Sequence, residues 1–155
     1  MSISRTFILG LSVASLLGVP AVGQEKHIKR ADLPPAVEKT VAAEAHGATI
    51  KGFSTEKEKG QVFYEAELSV NGHTKDILMN ANGAIVEVEE QVAMESLPAA
   101  VKSGLQAKAR GGKLLRVESL TKGGKLVAYE AVVLTGGKST EVQVGPDGKL
   151  LDHEE

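Results

Sequence analysis

The sequence predicts an α+β fold: two tandem repeats, each one helix followed by a four-stranded antiparallel meander, with the helices on one face of the sheet. Three observations lead there. The chain matches itself at a nearly constant offset. Within each unit, apolar residues recur first at helical spacing and then at every second position. Gly, Asn-Gly and Asp-Gly punctuate the chain where a helix must stop or a hairpin must turn.

The self-match is specific. Leu33-Pro34-Pro35-Ala36-Val37 recurs as Leu97-Pro98-Ala99-Ala100-Val101, 64 positions on. The same offset pairs Val41 with Leu105, Ala45 with Ala109, Gly47 with Gly111 and Gly60 with Gly124. One residue is then gained. An offset of 65 pairs Tyr64-Glu65-Ala66 with Tyr129-Glu130-Ala131, Gly72 with Gly137, Asn82-Gly83 with Asp147-Gly148, and Glu89-Glu90 with Glu154-Glu155. Two copies mean duplication of a small domain; a solenoid would need three or more. The predicted organisation is a signal peptide over 1–23, a flexible stretch over 24–30, a first repeat over 31–91 and a second over 92–155.

The leader reading rests on Arg5, an apolar run over 7–19, and the small residues Ala21 and Gly23 before a cut at Gln24. The run is short for a membrane span. No Cys follows it, which excludes a lipid anchor. The expectation is export to the periplasm or beyond, with no membrane attachment after cleavage.

Each unit opens with a helix. Asp32 and Ser96 are good N-caps, and Pro34 and Pro98 sit where a missing N–H costs nothing. Leu33, Val37, Val41 and Ala45 share a face, as do Leu97, Val101, Leu105 and Ala109. Gly47 and Gly111 stop the helices. A weaker strand follows at 49–54 and 113–119, its facing ambiguous because Leu114 and Leu115 are adjacent. In the next strand Val62, Tyr64, Ala66, Leu68 and Val70 alternate with Phe63, Glu65, Glu67 and Ser69, and Val127, Tyr129, Ala131 and Val133 form the matching inner set. Asn71-Gly72 and Gly136-Gly137 are hairpin turns. Strands at 76–79 and 141–144 lead to turns at Asn82-Gly83 and Pro146-Asp147-Gly148, and 85–88 and 150–151 close the units.

The Leu-Pro-x-Ala-Val helix start, the Gly-ended helix, the Tyr-Glu-Ala strand and the Asn/Asp-Gly hairpin before a final strand resemble the PepSY-like, beta-lactamase-inhibitor-like domain family. The resemblance runs from about Ala31 to the end of the sequence. It implies exported bacterial proteins carrying tandem units. It also implies a fold like that of the beta-lactamase inhibitory protein, in which a tandem sheet grips a partner. The family has no established catalytic residues to carry over.

Composition narrows the chemistry. The chain has 155 residues, 18 Lys+Arg against 20 Asp+Glu, and a net charge of −2, which is no nucleic-acid binder. With no Cys there is no disulfide scaffold, zinc-thiolate site or thiol nucleophile. Aromatics make up only 3%, and no Trp is present, which argues against a very tight interface. Gly-x-Ser-x-Gly is absent, and Gly111-Gly112-Lys113 and Gly123-Gly124-Lys125 lack Walker spacing. His27, His46, His73 and His153 read as surface residues with no i, i+4 pair. Asn80, Asn82, Gly83, Ile85 and Glu89 match parts of a calcium-loop template, but its first ligand position holds Leu78. Neither a cofactor nor a metal is expected. Carboxylates at Glu87, Glu89 and Glu90, and at Asp152, Glu154 and Glu155, read as a solvated strand end and tail.

The water-facing side of the sheet carries the partner hypothesis. Phe63, Val132 and Leu134 lie out of phase with the buried set, beside Glu65, Glu67 and Glu130. Exposed apolar residues on an open sheet mark a partner site. These six residues are the candidate partner-binding set of an exported, non-enzymatic binding protein that modulates an envelope enzyme. Such a face also suits homo-oligomerisation. The alternative function is a periplasmic small-ligand or cation sensor using the acidic strand ends.

Overall fold

The computed structural model describes residues 25–58 and 60–151. The leader at 1–23 and the tail residues Asp152, His153, Glu154 and Glu155 lie outside the described residues.

The chain forms β1 (Lys26–His27), α1 (Pro35–Glu44), β2 (Thr49–Glu58), β3 (Gln61–Val70), β4 (His73–Asn80), β5 (Ile85–Gln91), α2 (Ala99–Lys108), β6 (Lys113–Lys122), β7 (Lys125–Thr135) and β8 (Lys138–Val144). All strands join one antiparallel sheet in the order β1-β2-β3-β4-β5-β6-β7-β8. This corrects the sequence expectation of two tandem helix-plus-four-strand repeats. The protein is one mostly-β, eight-stranded sheet with two helices among the described residues. The physical reason is a seam that periodicity does not reveal: β5 pairs with β6 from Glu87↔Lys122 to Gln91↔Glu118, so no edge separates the halves. Nor do the halves match strand for strand among the described residues. Residues 150–151 make only a bridge, Val144↔Leu150, where a closing strand was expected. The segment read as flexible holds β1, which pairs Lys26 with Thr55 and His27 with Ser54.

Both helices pack on one face. Val37 and Val41 of α1 bury against Phe53, Ala66, Leu68, Ile77 and Met79, while Val101 and Leu105 of α2 bury against Val117, Ala131, Val133, Val142 and Val144. The helices start later than read, with Pro34 and Pro98 as N-caps. Asp32 instead closes a 3-10 turn, its Oδ2 accepting the Lys29 N–H at 3.0 Å. The turn after β4 docks on α1. Gly83 has φ 76°, a Cβ there would collide with the Ala36 carbonyl, and Thr40 Oγ1 donates to the Gly83 carbonyl at 2.7 Å.

Bulges resolve the ambiguous strands. Register shifts fall between Ile50 and Gly52 in β2 and between Leu114 and Arg116 in β6. Each sets one extra residue out of the ladder. Leu114 therefore packs on the core while Leu115 is exposed. Val62, expected inside, is 41% exposed at the hairpin end of β3.

Candidate functional site

With both helices on one face, the period of two sends every second strand residue to the other face. Among the described residues, no helix or strand lies over it. Pairing defines its rows. Ser54, Glu65, Leu78, Glu87 and Lys122 are successive cross-strand neighbours from β2 to β6. Gly52, Glu67, Asp76, Glu89, Leu120 and Ala128 form the next row. Glu118, Glu130 and Gln143 follow, then Arg116, Val132 and Glu141.

This face is acidic and close-packed. Glu65, Glu87, Glu89, Glu118 and Glu130 are each 7% exposed or less. Glu87 and Glu89 are thus not a solvated strand end, whereas Glu90 is exposed. Most of these carboxylates have partners. Ser54 Oγ donates to Glu65 Oε2 at 2.8 Å, Gln143 Nε2 donates to Glu130 Oε2 at 2.6 Å, and Thr74 Oγ1 donates to Glu118 Oε1 at 3.0 Å. Lys122 Nζ stands 3.5 Å from Glu87 Oε2. Arg116 Nε lies 3.2 Å from Glu118 Oε1 but off hydrogen-bond geometry, an ion pair by distance only.

Glu89 and its cross-strand neighbour Asp76 differ. Neither takes a hydrogen bond or ion pair from the described residues, although Glu89 is 5% exposed. Burial, then repulsion from Glu130, Glu87, Glu118 and Asp76, raises the Glu89 carboxyl well above its ordinary range. Burial also lifts Asp76 to about 7, with Glu118 and Glu67 adding to the rise and Arg116 opposing it. Glu65 is lifted to about 7 by burial, against the Ser54 hydrogen bond. Strongly shifted carboxyls gathered in one place mark a candidate functional site.

At the hairpin end the face opens into a cleft of about 540 Å³. Phe63, Val62, Leu78 and Val86 give it an apolar lining, and Glu87 and Lys122 stand at its wall. Here Leu78, which fails as a calcium ligand, serves as cleft lining, and Asn80 accepts the N–H groups of Asn82 and Ala84 as a turn residue.

All six residues singled out in the sequence lie on this face, in two groups. Phe63, Glu65 and Glu67 are on β3, and Glu130, Val132 and Leu134 on β7, with β4, β5 and β6 between. Glu65 and Glu130 are buried; Phe63, Glu67, Val132 and Leu134 are half-buried. The middle of the face — Asp76, Glu87, Glu89, Glu118 and Arg116 — is absent from that set. A signal for part of it existed: Asp76 alternates with Ile77 in β4, and Glu87 and Glu89 alternate with Val86 and Val88 in β5. A further grouping was also missed. Glu25, His27 and Glu67 bring one donor atom each to within 4.8 Å of one another. Glu25 lies just before β1 and His27 within it, two apart, a spacing that a search for helical i, i+4 pairs passes over.

No protein-family model and no curated protein matches the chain. Solved structures do. A DUF2874 family protein from Bacteroides ovatus is similar at a TM-score of 0.60 and 18% identity, over 77% of this chain and 85% of that one. A BLIP-like protein from Bacteroides fragilis is similar at 0.57 and 23% identity, over 79% and 86%. A Bacteroides eggerthii protein whose name presumes a periplasmic location is similar at 0.64 and 16% identity, over 79% and 88%. At these identities the likeness shows the fold alone: this chain has the architecture of the BLIP-like and DUF2874 structures.

Proposed function

We propose that the protein is an exported, non-enzymatic binding protein that takes a cationic segment of another protein on the open face of its sheet. One observation carries the reading. Asp76 and Glu89 stand side by side on that face, Glu89 out of water, with no hydrogen bond or ion pair from the described residues. A desolvated carboxyl without a partner is costly as an anion and stays protonated until a cation arrives. A Lys or Arg of a partner supplies that cation, and the Phe63 cleft receives an apolar residue beside it. Likeness to a BLIP-like protein supports docking through the sheet, in the manner of an inhibitor or modulator of an envelope enzyme. Likeness to a protein named for the periplasm, together with the leader features of 1–23, supports export.

The test is fluorescence anisotropy with a labelled Arg- and Leu-bearing peptide against an acidic peptide of equal length. The basic peptide is expected to bind, more tightly at low salt. Asp76→Asn with Glu89→Gln should weaken binding at least tenfold while the thermal midpoint holds or rises. Phe63→Ala with Leu134→Ala should leave the fold nearly as stable and abolish capture. Equal binding of both peptides, or unchanged binding by the acidic double variant, overturns the reading.

A further inference from the structure

We infer that Glu25, His27 and Glu67 form a binding site for a divalent transition-metal ion of the zinc type, which ties strand β1 to the sheet. The donor atoms of these three side chains all lie within 4.8 Å of one another. They come from two strands that are not neighbours: Glu25 and His27 belong to the β1 end of the chain, and Glu67 to β3. Strand β2 runs between, and the residue opposite Glu67 on it is Gly52. A Cβ at Gly52 would stand 3.1 Å from Glu67 Oε1, tighter than ordinary contact. The Glu67 carboxylate therefore lies across the place where a β2 side chain would be. Gly inside a strand is unfavourable and marks close approach of another group. Here the group that approaches is a carboxylate reaching toward an imidazole.

Charge makes the arrangement informative. Two carboxylates converge on one imidazole, and none of the three takes a hydrogen bond or ion pair from another described residue. A divalent ion at their centre would satisfy all of them at once. One imidazole nitrogen with two carboxylate oxygens is a donor set that suits zinc, with ligand bonds of about 2.0–2.2 Å. Donors around such an ion stand roughly 3–3.5 Å apart, so the side chains must close inward. Glu25 and His27 are exposed and free to turn. Three protein ligands leave an open position for water or for a partner's donor atom. The consequence is mechanical: β1 is two residues long and is continued by the Ile28 N–H bond to the Phe53 carbonyl. Metal bridging β1 to β3 holds that edge in place.

The experiment uses the tag-free protein with zinc chloride in calorimetry and cobalt chloride in visible absorption. One ion per chain is expected, with cobalt giving the d–d bands of a low-coordinate nitrogen–oxygen site. His27→Ala and Glu67→Gln should each weaken zinc at least tenfold, and Gly52→Ser should weaken it by crowding Glu67. His46→Ala, on an exposed helix end, should not. Saturating zinc should raise Tm by about 5–10 °C at a hundredfold excess over Kd. It should also slow hydrogen exchange at Ile28. Circular dichroism confirms that each variant is folded. Absence of stoichiometric zinc, or zinc binding unchanged in both His27→Ala and Glu67→Gln, overturns the assignment. So does loss of binding in His46→Ala, or zinc binding that leaves Ile28 exchange as fast as before.

Discussion

Glu65→Gln should make the protein more stable in mild alkali and leave it nearly unchanged in mild acid. The Glu65 carboxyl is raised from 4.5 to about 7, chiefly by burial. Below pH 4.5 the folded and unfolded chains both hold this proton, and the site subtracts nothing. Between 4.5 and about 7 the unfolded chain releases the proton and the folded chain keeps it, so stability falls as pH rises. Above about 7 the loss is complete at roughly 3 kcal/mol, of which about 2.5 falls between pH 5 and pH 8.5. The amide of Gln carries no charge, and its oxygen can still accept the Ser54 hydroxyl bond, 2.8 Å long in the native protein. The variant should therefore match the parent at pH 5 within about 0.5 kcal/mol and lose roughly 2.5 kcal/mol less on going to pH 8.5. Asp76, also at about 7, keeps part of the slope in both proteins. The assay is urea unfolding followed by far-UV circular dichroism, with EDTA present, since the chain has no Trp and only 2 Tyr. At an m-value near 2 kcal/mol/M, the gap between the two midpoints should shrink by about 1 M. If Glu65→Gln loses as much stability as the parent between the two pH values, the Glu65 carboxyl is not desolvated as described.

Leu105→Ala, at a fully buried position of α2, should cost about 3 kcal/mol in urea unfolding, yet leave peptide binding intact where the variant is folded. Gly83→Ala should cost more than Gly72→Ala. Both glycines have positive φ, but a Cβ at 83 meets the Ala36 carbonyl while one at 72 meets open space. We expect about 1 kcal/mol for Gly72→Ala and at least twice that for Gly83→Ala, and equal costs would mean that the turn does not dock on α1. Binding of the basic peptide at pH 7 should release protons, because a cation beside Asp76 and Glu65 lowers carboxyls that stand at about 7. Calorimetry in two buffers of different ionisation enthalpy measures that release. Zero release would place the peptide away from these carboxyls.

Much of this molecule is legible in one dimension. Val37 and Val41, and Val101 and Leu105, recur at helical spacing and do line the two buried helix faces. Alternation in β3 and β7 separates Ala66 and Ala131, which face the helices, from Glu65 and Glu130, which do not. Asn71 and Gly72 both take positive φ in their hairpin, as such a turn demands. These features depend on neighbours within a few residues, where the chain's own geometry sets the outcome.

In β3 and most of β7, where alternation runs unbroken, sequence alone says which face a residue occupies, because successive side chains of an extended chain point to opposite sides. It did not determine which residues become neighbours across the sheet. That depends on pairing between distant segments and on bulges. The β5–β6 seam turned two expected units into one sheet, and it put Glu89 beside Leu120 and near Glu118. Only then does Glu89, within an acidic run that reads as solvated, become a buried carboxyl with no hydrogen bond or ion pair from the described residues. Likewise His27 meets Glu67 only because β1 pairs with β2 and Gly52 leaves room between them. Burial and electrostatic coupling are properties of assembled neighbours, and the tertiary structure alone decides who those neighbours are.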